Sequence, residues 1–153
     1  MVNLAARVFG ALAAFFLAAM MLVTVADVAL RAFFNKPILG TAELVEFGLA
    51  CAVFFGLPAV FLRDEHLVVD VIDHFAPPRV VRLLDFAGAL VSLGVLGLMG
   101  WQMLPVARAM YEFGDVTSSL SIPKIYYWVP VLIGVFASAA ATAFFVARWR
   151  RQP

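Results

Sequence analysis

The side chains of greatest chemical interest in this sequence are Asp27, Arg31, Glu43, Glu46, Cys51, His66, Asp70 and His74. Asp27 and Arg31 stand four residues apart, so on a helix they form an intrahelical ion pair from which Arg31 reaches toward water. Glu43 and Glu46 open an apolar run, where a carboxylate complements the helix dipole and Gly40 or Thr41 caps the first turn. Two readings of Glu46 stand side by side. It is either a structural hydrogen-bond partner about one turn inside a membrane or a carboxylate that couples a proton to transport. His66 and His74 are eight residues apart. On one helix that is about 12 Å, too far for a single metal ion to bridge, so both read as part of a solvated polar face. The single Cys51 has no second thiol for disulfide chemistry and reads as a packing residue. Neither a zinc-ligand spacing, nor a glycine-rich phosphate loop, nor a nucleophile elbow occurs. These observations lead us to expect a non-enzymatic chain with no catalytic residue, no metal ligand and no cofactor of its own.

Those residues need elements to hold them, and the composition says of what kind. Of 153 residues, 65% are hydrophobic and 14% charged, against roughly half and a quarter in a soluble domain. Mean hydropathy is +1.00. The net charge of +1 gives no electrostatic footprint for nucleic acid. A bilayer core of about 30 Å takes roughly 20 apolar residues of helix. Four runs qualify: 8–30, interrupted only by Asp27; 44–62, interrupted only by Glu46; and 86–107 and 125–147, which carry no charge. The expected fold is an all-α membrane protein, with residues 1–153 forming a single four-helix domain in the lipid bilayer. The first run stays apolar from Val8 to Val25, longer than the roughly 7–15 residues of a signal-peptide core, so it reads as a retained span. The spans contain no His, which argues against a bis-histidine haem bundle.

Between the second and third runs, Leu67, Val68, Val71, Ile72 and Phe75 recur at helical spacing, with His66, Asp70, Asp73 and His74 opposite. Residues 64–75 are therefore expected to form a short amphipathic interfacial helix, stopped by Pro77 and Pro78. Of the 11 cations, Arg7, Arg63, Arg79, Arg82, Arg148, Arg150 and Arg151 fall on the side of the chain ends, and Arg31, Lys36, Arg108 and Lys124 on the other. Positive charge collects in the cytoplasm, so both ends are expected there. Small residues repeat every four positions at Gly48, Ala52 and Gly56 in the second span and at Gly134, Ser138 and Thr142 in the fourth. Gly88, Ser92, Gly94, Gly97 and Gly100 mark the third. Such faces let helices approach closely, either within a compact four-helix bundle or against a membrane partner. Pro58, Pro105 and Pro130 sit toward span ends, so no span is expected to break in its middle as transporter substrate sites require.

Four stretches stand in a telling order. Residues 31–38 read RAFFNKPI and Ala42-Glu43-Leu44 opens the second span; residues 63–71 read RDEHLVVDV before Pro77; residues 114–123 read GDVTSSLSIP ahead of the last span. With four spans in this length, the chain resembles the small permease subunit, the DctQ type, of the tripartite ATP-independent periplasmic (TRAP) transporters. The residues that carry the resemblance are Arg31, Asn35, Glu43, Arg63, His66, Asp70, Pro77, Gly114, Ser121 and Pro123. It covers nearly the whole chain.

The resemblance implies a multi-pass protein of the bacterial inner membrane that works as a non-catalytic scaffold. Its implied partners are a large permease subunit, which would carry the sodium site and move an organic acid, and a periplasmic substrate-binding protein that delivers the acid. Loops 31–43 and 108–124 would then face the periplasm. The competing reading is a small autonomous proton-coupled exporter acting as a homo-oligomer, which predicts that Glu46→Gln uncouples transport. A membrane redox or lipid enzyme would instead need a bound cofactor visible in an optical spectrum.

Overall fold

The structure is a computed structural model that describes residues 2–62 and 78–149. Four helices make up nearly all of it: α1 (Val2–Phe34), α2 (Thr41–Leu62), α3 (Pro78–Phe113) and α4 (Ile125–Trp149). Each is long and apolar enough to cross a membrane. The expected interfacial helix over 64–75, with Leu67, Val68, Val71, Ile72 and Phe75, lies outside the described residues, as do Arg63, His66, Asp70 and Pro77.

The helices outrun the apolar runs that announced them. α1 begins ahead of residue 8 and ends past 30, and α3 begins at Pro78 where the run begins at 86. At 36 residues, α3 is about 54 Å long, well beyond a hydrocarbon core of about 30 Å. The reason is physical. Apolarity marks where lipid ends, whereas a helix stops only where its backbone bonds are diverted. Pro78 is accommodated because the first helical position needs no donor. α1 stops at Asn35, which adopts a left-handed φ of 51°, and its N–H closes on the Arg31 carbonyl at 3.2 Å. Gly114, at φ 64°, ends α3 in the same manner, since glycine enters that region without a Cβ penalty. Pro58, Pro105 and Pro130 are all absorbed inside helices, and α3 runs on past Pro105 to Phe113.

The four helices stand in an open row and do not close into the compact bundle that the small-residue faces suggested. α1 packs on α2, α2 on α4 and α4 on α3, and among the described residues no other pair of helices is in contact. In lipid, apolar surface gives no drive toward closure, so contact is limited to faces that fit. Gly48 and Gly56 of α2 face Met20 and Ala13 of α1. Phe16 extends that seam against Phe47 and Phe55, with ring centroids 6.2 and 5.9 Å apart. Gly134 of α4 lies so close to α2 that a Cβ there would overlap the Phe54 carbonyl. Ser138 and Thr142 are fully buried, and their hydroxyls donate to the carbonyls of Gly134 at 2.8 Å and Ser138 at 3.0 Å. These small residues therefore serve contacts within the row; Ala52, between Gly48 and Gly56, is half-buried. On α3, a Cβ added at Gly100 would stand 3.2 Å from the Phe136 ring of α4, while one at Gly94 or Gly97 would have open space.

Candidate functional site

Polar groups gather where the α1–α2 and α3–α4 connections meet, at one end of the row. The first connection is set by Asp27, one of the few buried charged residues described. Its carboxylate accepts from the Arg31 guanidinium at 2.7 Å, the expected i,i+4 pair. It also accepts the backbone N–H of Ile38 at 2.7 Å, eleven positions downstream. The ion pair is therefore half of its role; the other half is to fold the connection back over the end of α1. Thr41 closes the turn by donating its hydroxyl to the Ile38 carbonyl at 2.9 Å. Gly40, not Thr41, takes the cap position, because its carbonyl accepts the first helical bond from Leu44 at 3.0 Å.

The second connection is a tight loop. Val116 and Pro123 form an antiparallel bridge. Thr117 and Ile122 pair twice inside it: the Thr117 N–H donates to the Ile122 carbonyl at 2.9 Å, and the Ile122 N–H donates to the Thr117 hydroxyl at 3.0 Å. The Lys124 N–H closes on the Asp115 carbonyl at 2.8 Å. This lacing holds Ser121 at a left-handed φ of 53°, which costs an L-residue about 1–2 kcal/mol and needs such over-determination to persist.

Glu43 joins the two connections. Expected to serve the dipole of its own helix, its carboxylate instead crosses to the other loop and accepts the backbone N–H groups of Ser119 and of Leu120, the latter at 2.9 Å. Its own carbonyl accepts the Tyr127 hydroxyl at 2.9 Å, so one residue of α2 binds both the loop before α4 and the first turn of α4. Hydrogen bonds to an ionised carboxylate are about twice as strong as neutral ones. Beneath them the Leu120 side chain fills the space beside Gly40, whose φ of 76° and missing Cβ both fit that approach.

The structure thus brings together Asp27, Arg31, Asn35, Glu43, Gly114, Ser121 and Pro123 in one pair of connections. Thr117, Tyr127, Ser119 and Leu120 complete it, without having been singled out from the sequence as site residues, together with Gly40, which was expected there as a cap. The signal for the loop members was the Gly, Ser and Thr run at 114–121, which marks a turn and does not name its partner. The site holds carboxylates against backbone donors, which is chemistry of fixation. Glu46, one turn beyond Glu43, lines a cleft of about 140 Å³ with Met110, Thr117, Lys124, Tyr127 and Trp128.

Comparisons with known proteins point to one family. The family described as "Tripartite ATP-independent periplasmic transporters, DctQ component" matches residues 20–152. The chain is similar to the C4-dicarboxylate TRAP transporter small permease protein DctQ of Vibrio cholerae serotype O1, at 33% identity over 124 residues. That alignment takes in 77% of this chain and 53% of the relative, so the chain spans about half the length of the curated protein it matches. No solved structure matches the chain. With four apolar helices and a family match over nearly all of its length, this multi-pass membrane chain belongs to the DctQ-component family of the tripartite ATP-independent periplasmic transporters.

Proposed function

We propose that this chain is the small, non-catalytic scaffold subunit of a sodium-coupled importer of organic acids. The observation that carries the reading is the junction at Glu43, which ties α2 to the loop ahead of α4 through two backbone N–H groups. A part built to stay fixed suits a brace for a moving neighbour. The large permease subunit holds the sodium and the substrate path, and a periplasmic binding protein delivers the acid; the small subunit needs no cofactor. The name of the Vibrio cholerae relative points to C4-dicarboxylates within the wider class of carboxylates. In this arrangement the chain sits in the bacterial inner membrane with both ends in the cytoplasm, and the Asp27 and Glu43 loops face the binding protein.

Reconstitution tests the reading. Liposomes with this chain alone are expected to take up no labelled dicarboxylate or sialic acid under a sodium gradient. Liposomes that also hold the large subunit and receive the binding protein are expected to take up the cognate acid. Uptake or proton flux by the chain alone would favour the exporter reading and overturn the scaffold.

A further inference from the structure

The cleft beside the junction contains two opposite charges that leave each other free. Glu46 comes from α2 and Lys124 from the residue before α4, yet among the described residues the salt bridge formed is that of Asp27 with Arg31. Opposite charges facing one space attract, more strongly near lipid than in bulk water. With no salt bridge between them among the described residues, each has capacity for a ligand. Its volume of about 140 Å³ is several times the roughly 30 Å³ share of one water, so a small polar group fits.

The walls narrow the class of ligand. Trp128 and Tyr127 are aromatics of the first turn of α4, at the level where the loop meets the apolar span. Indole and phenol rings favour that depth, and a Trp face attracts a cation. Thr117 forms a fixed floor, being 7% exposed and bonded through its hydroxyl to Ile122. Met110 brings α3 into the lining beside Glu46 of α2 and Trp128 of α4, so the cleft draws on three helices and presents apolar surface next to the two charges. A matching ligand carries an ammonium, an anion a few bonds away and an apolar body.

We propose that this cleft binds the headgroup of an ethanolamine phospholipid, with the ammonium on Glu46 and Trp128 and the phosphate on Lys124. The inference depends on the membrane placement of the chain and is independent of the transport reading.

Native mass spectrometry of the full chain, titrated with phosphatidylethanolamine and phosphatidylglycerol of matched acyl chains, tests it. The natural chain is expected to retain the ethanolamine lipid about tenfold better, the factor one charge-assisted hydrogen bond supplies. Glu46→Gln should erase that preference, and Lys124→Gln should weaken retention of both lipids, with helicity by circular dichroism unchanged. Equal retention of the two lipids by the natural chain overturns the proposal, whatever the variants do. So does displacement of the lipid by an equimolar amount of soluble glycerophosphoethanolamine, which would assign the cleft to a free phosphate zwitterion.

Discussion

Glu43 and Leu120 are 77 positions apart in the chain, and a carboxylate oxygen of the first accepts the backbone N–H of the second at 2.9 Å. With the Ser119 N–H on the other oxygen, one side chain satisfies two loop donors that have no partner in a helix. Replacing Glu43 by Ala strands both, and is expected to lower the melting temperature in detergent by about 5 °C or more. Glu43→Gln keeps one acceptor oxygen and should lose less. Thermal unfolding followed by circular dichroism reads both, and a Gln variant that melts with or below the Ala variant would contradict the two-donor arrangement.

Tyr127 supplies a weaker third tie through its hydroxyl, 2.9 Å from the Glu43 carbonyl. Tyr127→Phe keeps the ring against Phe47, at 5.3 Å between centroids, and should cost about 1 kcal/mol. No measurable loss would mean that the ring, not the hydroxyl, holds the first turn of α4.

Gly40 and Gly114 separate conformation from contact. Both adopt a positive φ, 76° and 64°, so Ala at either meets left-handed strain of about 1–2 kcal/mol. At Gly114 nothing lies within 4 Å of an added Cβ, whereas at Gly40 the Leu120 side chain occupies the space. Gly40→Ala is therefore expected to be the more damaging. Shortening Leu120 to Ala in the same chain should recover part of the difference, a coupling that a double-mutant cycle measures. Additive losses would argue that the two loops do not touch at this point.

Gly134 and Gly97 make the same comparison inside the membrane. Ala at Gly134 collides with the Phe54 backbone of α2, and pushing two helices apart should cost about 1–3 kcal/mol. Ala at Gly97 meets nothing within 4 Å and should be neutral, or stabilise by up to about 1 kcal/mol through helix propensity. Guided by melting temperature, an equal response at both sites would refute the α2–α4 seam.

The four spans were legible because the bilayer imposes one length on any apolar run that crosses it. Their ends were not, since Pro78 to Asp85 form helix in spite of their charges, and among the described residues the stops of α1 and α3 are set by left-handed backbone at Asn35 and Gly114. The Asp27–Arg31 pair followed from spacing alone. The Ile38 N–H on Asp27 did not, nor did the loop donors on Glu43, because such bonds depend on how the chain returns and leave no periodic trace. The row likewise could not be read from Gly48, Gly56, Gly94 or Gly134, as a glycine permits an approach without naming what approaches.

The spatial order of the helices differs from their order of synthesis. α4 occupies the place between α2 and α3, so among the described residues α3 has no helix to pack on until α4 follows it. α4 then has to slot in as a keystone between two halves already inserted, bringing the loop that Glu43 captures. A ribosome halted before residue 125 would leave α3 tied to the first hairpin by the chain alone, without the helix whose faces fit both.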